Sequence, residues 1–359
     1  MKLFRLFRQY ILIIVISMTN TNELISQGMP HFSELPALPD AQGFAGMFAG
    51  VSNGYLFCMG GANFPEKKPW EGGKKKWYDD IYRFTENNQW EKLPQKMPSP
   101  LGYGVSVSYK EEIIVIGGND INGHTATVSS YKWNGAALEM KQYPALPFSL
   151  SNMAGAIVGN LMILTGGNQT PSSPASNTCI ALDLEKTENG WFDLAPWPGR
   201  ERVLPVVTVH NGTFYLFSGE TVDVNAAGER KRKILQDGYS FTPVKQNGKW
   251  TGTWNALATM PRGVSAAGSP LPVMDNGQFV FWGGVDATTA LHTDPPTHPG
   301  FANDVYLFSP EKNSWSYAGK YTGHRSRVTL PVVYWNQQWV HISGEIAAAV
   351  RTNGVIAIQ

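Results

Sequence analysis

Cysteine is scarce in this sequence, and so is charge. Cys58 and Cys179 are the only two cysteines in 359 residues, which excludes a disulfide-dense scaffold and gives no support to a cysteine-rich structural zinc site. A single disulfide between them stays open in an oxidising compartment, but each lies inside an apolar, β-like segment and reads as a small buried hydrophobe. Charged residues make up 16% of the chain and the formal net charge is +1, so nothing points to a nucleic-acid partner. No nucleophile elbow, phosphate loop or dinucleotide fingerprint occurs. The apolar run Tyr10 to Met18 is too short to cross a bilayer comfortably. It follows Lys2, Arg5 and Arg8 and gives way to polar residues up to Gln27, an order that reads as a secretory signal over residues 1–27. A retained membrane anchor is the alternative; the expectation is export, with no stable membrane insertion after cleavage.

Turn residues, by contrast, are abundant. With 37 Gly, 24 Pro and 12% aromatics, the composition is that of a turn-rich all-β protein. Apolar runs ending in a small-residue pair recur six times, at Gly60-Gly61, Gly117-Gly118, Gly166-Gly167, Ser218-Gly219, Gly283-Gly284 and Ser343-Gly344. Their spacing of roughly 50 to 65 residues lies on or just above the period of kelch propeller blades. Each copy has a small-residue strand, the run into the pair, a third strand such as Asp80-Ile-Tyr-Arg-Phe, and in several copies a fourth that begins with Trp90, Trp191, Trp254 or Trp315. Four short antiparallel strands per repeat make a blade. The fold expected over residues 28–359 is therefore a single six-bladed kelch-type β-propeller. After Gly344 the chain has one more strand, Gly354-Val-Ile-Ala-Ile, and then ends. The orphan Phe32-Ser-Glu-Leu-Pro resembles Trp90-Glu-Lys-Leu-Pro, so an N-terminal strand is expected to close the last blade.

Propellers carry function on the loops at the channel mouth. Blade one has a long insert from Asn63 to Tyr78 that holds Glu71 and Lys75, read either as a solvated basic turn or as a substrate-contacting lid. His292 and His298 in blade five lack a completing carboxylate or thiolate, so an exposed loop is expected rather than a metal site. Arg202 and Arg327 stand just before first strands, where a guanidinium could hold a carboxylate with two parallel bonds; a plain surface position is the alternative. Glu345 follows the last turn and Arg351 comes six residues later. A carboxylate held near the channel by a rigid strand end is a candidate general base. Glu220 occupies the same post-turn position in blade four. It is a further substrate-binding candidate, and also a reason to consider the carboxylate a mere repeat feature that bonds a loop amide.

Taken together, these residues resemble the N-acetylneuraminate epimerase family, the sialic acid mutarotases, and within it the cyclically permuted mutarotases. The resemblance lies in Gly344-Glu345 with Val350-Arg351-Thr352, Gly43-Phe-Ala-Gly with Gly60-Gly61-Ala62, Glu71-Gly-Gly-Lys74-Lys75 with Asp80-Ile81, and Tyr103-Gly-Val-Ser. It implies a periplasmic six-bladed propeller that interconverts the α and β anomers of N-acetylneuraminate, an isomerase acting on a sugar acid without a cofactor or metal. Glu345 would be its catalytic base, with Arg351, Arg202, Arg327, Glu220, Glu71 and Lys75 as substrate-binding residues. Ser218-Gly219-Glu220 departs from the family pattern in its blade. A propeller that binds a glycan or protein partner without catalysis, and a mutarotase for another sugar, are the alternatives.

Overall fold

The computed structural model of the protein describes residues 28–224, 228 and 230–359; the expected signal segment lies outside them. Six antiparallel sheets follow one another around a central channel. Blade one contains Phe48–Ser52, Tyr55–Met59, Asp80–Phe84 and Trp90–Lys96, hydrogen-bonded in that order from the channel outward. Asn53-Gly54 and Asn211-Gly212 join the first two strands of blades one and four with positive φ at both turn residues, 47° and 80° and then 47° and 71°. This is the tight hairpin geometry that Asn-Gly selects, because its twist matches that of the flanking strands. The second strands are the most deeply buried, with Leu56, Phe57, Cys58 and Met59 at 0% exposure in blade one. Core clusters lie between blades, so each blade is stabilised by its neighbours. The outer tryptophans confirm that role: the indole N–H groups of Trp191, Trp254 and Trp315 donate to Pro144, Ala195 and Ala258 of the preceding blades at 2.9, 2.7 and 2.9 Å. Cys58 and Cys179 are free thiols buried in different blades, and burial pushes both thiol pKa values up.

One residue per blade sets the channel geometry. Gly46, Tyr103, Asn152, Leu204, Ala266 and Thr329 all have positive φ, between 52° and 65°. The N–H of each donates to the carbonyl of its counterpart in the preceding blade, from Tyr103 to Gly46 (2.9 Å) round to Thr329 to Ala266 (2.7 Å), and Gly46 to Thr329 at 2.7 Å closes the circle. This cyclic chain of backbone bonds ties all six blades at the channel wall. Five of its members pay the left-handed penalty that glycine avoids. Replacing Ala266 with glycine is therefore expected to stabilise the fold by up to about 1 kcal/mol, the released strain exceeding the added chain entropy. A fall in the thermal midpoint of more than about 2 °C, in a domain of this size, would contradict that reading.

Blade five departs from the expected four strands: only Phe279–Phe281, Asp304–Ser309 and Ser314–Lys320 form its sheet. Its channel-side segment contains Pro270 and Pro272, which have no N–H to give a ladder. A single bridge, Val273 to Phe279, remains, and the Leu271 N–H bonds Val207 of blade four at 2.8 Å instead.

Blade six closes as expected. Phe32–Leu35 pairs antiparallel with Val355–Ile358, Phe32 opposite Ile358 and Leu35 opposite Val355. Phe32 stacks on Tyr321 with ring centroids 3.9 Å apart. Beyond the strand, the Leu38 N–H donates to Asn353 O at 2.9 Å and the Asn353 side-chain amide returns a bond to Leu38 O at 3.0 Å. Gly43, at φ 72°, then passes so close to Thr352 that a Cβ would lie 2.0 Å from its carbonyl oxygen. Residues 32–43 and 352–358 thus share one seam.

Candidate functional site at the channel mouth

The residue after each small-residue pair bridges to the residue just before the ring position of the same blade. Ala62, Asn119, Glu220, Val285 and Glu345 do so through bridges to Ala45, Gly102, Val203, Ser265 and Val328, and Asn168 pairs with Ser151 in the same way. These six backbone-fixed positions encircle one mouth of the channel, and their side chains are set by sequence alone.

Among them, Glu345 has the most elaborate setting. One carboxylate oxygen, Oε2, accepts from Arg351 Nη1 at 2.9 Å and from the Ala349 N–H at 3.2 Å. The other, Oε1, accepts from the Thr329 hydroxyl at 3.0 Å, and Thr329 belongs to the ring. Glu345 and Arg351 face each other across a two-stranded hairpin whose bulge tightens the turn between them. The pair is secluded, with side-chain exposures of 15% and 4%. Blade one supplies the roof. Its insert packs the Phe64 ring 5.0 Å from the Arg351 guanidinium and sets Lys75 Nζ over the rings of Tyr103 and Trp77, at 3.8 and 4.8 Å from their centroids. The Lys75 pKa is lowered to about 8, chiefly by burial and next by Arg351, with Glu345 opposing both. Tyr103 is half-buried, and its hydroxyl pKa is raised, first by desolvation and then by Glu345. A carboxylate, a guanidinium, an ammonium and a phenol thus converge within mutual electrostatic reach, a set suited to proton transfer on an anionic ligand.

The sequence profile described as N-acetylneuraminate epimerase matches residues 19–140 and 143–293. The chain belongs to the N-acetylneuraminate epimerase family. An N-acetylneuraminate epimerase of Salmonella enteritidis PT4 (strain P125109) is 41% identical over 122 residues, 30% of this chain and 31% of that protein. One from Yersinia pestis (strain Pestoides F) is 35% identical over 239 residues, 60% of this chain and 57% of that protein. The matched stretches thus span from under a third to rather more than half of these relatives. The solved structure "Structure of YjhT" aligns with a TM-score of 0.65 over 91% of this chain and all of that one, at 15% identity, a likeness of fold. The family match ends before Arg327, Glu345 and Arg351, so the case for those residues rests on their own blade.

Several candidates sit elsewhere than expected. Arg202 is 0% exposed; its Nη1 and Nη2 bond the Asp237 carboxylate at 3.0 and 2.8 Å, and Nη1 also bonds Ser218 O at 2.8 Å. It braces blade four and has no free edge for a substrate. Arg327 is likewise buried, at 5%, and holds Ser343 O and Gly354 O at 3.2 and 2.7 Å. Both differ from the expected mouth-facing guanidinium for one reason: the serine carbonyl at the end of the second strand draws the side chain inward. Glu71 is exposed and accepts from the Lys68 N–H at 2.9 Å, bracing its own loop. Glu220 is engaged by Arg232 at 2.6 and 3.2 Å, echoing the Glu345–Arg351 pair, but Arg232 is 45% exposed where Arg351 is covered. His292 and His298 form a ring pair at 5.3 Å. His298 feels Glu345, though burial dominates and lowers its pKa. No group of three or more His, Cys, Asp or Glu able to hold a metal occurs among the described residues.

Sequence reasoning missed Thr329, Phe64 and the site role of Tyr103. It also missed Asn119 and Asn168, which share the post-turn position of Glu345; Asn119 links the Trp77 indole N–H (3.0 Å) to the Ser151 hydroxyl (2.7 Å). The position itself was a usable signal, because the residue after every small pair can be read directly from the repeat.

Proposed function

We propose that this chain is a mutarotase for N-acetylneuraminate, an isomerase that opens and recloses the sugar-acid ring using Glu345 as base. The observation that carries the reading is the covered Glu345–Arg351 pair beneath Lys75 and Tyr103, in a member of the N-acetylneuraminate epimerase family. Glu345 takes the proton of the anomeric hydroxyl while Lys75 gives a proton to the ring oxygen. The bond between that oxygen and the anomeric carbon breaks, leaving a ketone. After rotation the liberated hydroxyl attacks the other face, returning its proton to Lys75 as Glu345 protonates the carbonyl oxygen. The guanidinium donors of Arg351 not used by Glu345 take the substrate carboxylate. Anchoring the carboxylate beside the anomeric carbon converts a slow solution process into an oriented one. Arg202, Arg327, Glu220 and Glu71 have no part in this scheme.

The reading includes export to the periplasm, supported by the basic, apolar and polar order of residues 1–27. No helix among the described residues is long and apolar enough to cross a membrane.

Two measurements test the proposal. Anomerisation rates followed by NMR should rise for N-acetylneuraminate and stay at the buffer rate for neutral aldoses; acceleration of glucose alone would favour the mutarotase for another sugar. The second is the pH profile. Lys75 must be protonated to act as acid, so kcat/KM should fall as pH rises through about 8. Lys75→Arg should move that limb to higher pH, and Lys75→Met should lower the rate about 100-fold, the lower range for loss of a general acid. An unchanged profile in Lys75→Met would remove Lys75 from the mechanism.

A further inference from the structure

Blades four and six share one frame. Arg202 and Arg327 each stand two residues before a ring residue, and each Nη1 donates to the carbonyl of its blade's serine, Ser218 at 2.8 Å and Ser343 at 3.2 Å. The Ser218 N–H bonds Asp237 O at 2.9 Å and the Ser343 N–H bonds Gly354 O at 3.0 Å, so Asp237 and Gly354 are equivalent positions. In blade four that position completes the arrangement: the Asp237 carboxylate forks onto Arg202 and is held from behind by the Tyr239 hydroxyl at 2.9 Å. In blade six the aspartate is replaced by glycine and the tyrosine by Ile356.

Arg327 consequently lies buried with no carboxylate of the described residues at ion-pair distance. Its Nε is enclosed and unpartnered, and Nη2 makes no hydrogen bond among the described residues. Glu34 acts on it only from afar, being 72% exposed and paired with His324 Nδ1 at 3.0 Å. His341 offers no compensation, because burial and Arg327 together hold its imidazole neutral, with a pKa of about 3. Burial lowers the Arg327 pKa to about 10, which still leaves it charged near neutral pH. A secluded cation without a counter-charge is costly, and the cost is relieved by an anion.

We propose that Arg327 is the centre of a binding site for a small monovalent anion, chloride or a short carboxylate, seated beside Gly354 where blade four carries the Asp237 side chain. A Cβ at Gly354 would stand 3.2 Å from Nη2 and 3.8 Å from Nη1 of Arg327, and 3.3 Å from Thr352 Oγ1. Thr352 Oγ1 accepts the Gly354 N–H at 3.1 Å, which leaves its own hydrogen to donate. Thr352, Asn353 and Gly354 are half-buried, so solvent ions reach this position. The inference rests on two blades of one chain and is independent of the mutarotase reading.

The test is thermal unfolding of the purified full chain at matched ionic strength in sodium gluconate, chloride and formate. The wild-type midpoint is expected about 2 to 4 °C higher in chloride or formate than in gluconate at a concentration well above Kd. Gly354→Asp supplies the carboxylate internally; it should melt above wild type in gluconate and lose the response to the smaller anions. A single wild-type midpoint in all three salts, or a Gly354→Asp response equal to wild type, overturns the proposal. Chlorine-35 NMR of the wild-type chain gives a second readout. Line broadening that formate reverses and Arg327→Gln abolishes is expected, and broadening that persists in Arg327→Gln overturns it.

Discussion

Glu345→Gln is expected to lower the enzymatic rate of anomer interconversion by 100-fold or more, within the roughly 10² to 10⁴ that a positioned general base contributes. The amide has nearly the same shape. Its single carbonyl oxygen can keep the bonds from the Ala349 N–H and Arg351 at the Oε2 position, while its NH2 donates to the Thr329 hydroxyl oxygen, whose own hydrogen bonds Val328 O at 2.8 Å, so the fold should be kept and the thermal midpoint should change little. Substrate affinity should be retained too, because Arg351 loses its ionic partner and is freer to hold the sugar carboxylate. The expected signature is therefore a collapse of kcat with KM unchanged or lower. Glu220→Gln serves as the internal control, since Glu220 sits at the equivalent post-turn position and is paired with Arg232 instead. Equal losses in the two variants would mean that the carboxylate is a structural feature of the repeat.

Deleting residues 28–38 should remove both stability and activity. The closing strand caps Val355–Ile358, whose four residues are buried, and Leu38 is itself only 1% exposed. Loss of a buried leucine and a stacked phenylalanine costs about 1.5–3 kcal/mol each before the broken ladder is counted. Against a total stability of about 5–15 kcal/mol, that is a large share. The deletion also frees Asn353 from Leu38, two residues from Arg351, so the hairpin that aims Glu345 loses its outer support. Calorimetry and the anomerisation assay on the truncated chain check this together. A cooperative transition at the wild-type temperature with full activity would contradict the closure argument.

Much of the architecture was legible because the repeat is local. The small-residue pairs occur at a fixed place in every blade and the outer tryptophans in four of the six, and the unfinished sixth repeat pointed to Phe32 as the start of its missing strand. The irregular inner edge of blade five was also written in the sequence, in Pro270 and Pro272, though the expectation of four strands passed over them. The site was legible only where it is local. Glu345 and Arg351 lie on one hairpin, and their separation in sequence is their separation in space. Lys75 over Tyr103 joins two blades, and Thr329 bonds Glu345 across blade six from a left-handed backbone position that is fixed by its bonds to the neighbouring blades. Arg202 and Arg327 were placed in the right blades but given the wrong orientation, since the carbonyls that turn them inward cannot be inferred from their flanking residues.

Catalysed interconversion of N-acetylneuraminate anomers through Glu345 is open to a direct measurement. The direct measurement is proton NMR of freshly released α-N-acetylneuraminate with and without purified protein. Wild type is expected to accelerate the approach to the β-rich equilibrium, and Glu345→Gln to leave the rate at that of buffer. Conversion at the buffer rate with folded wild-type protein would contradict it.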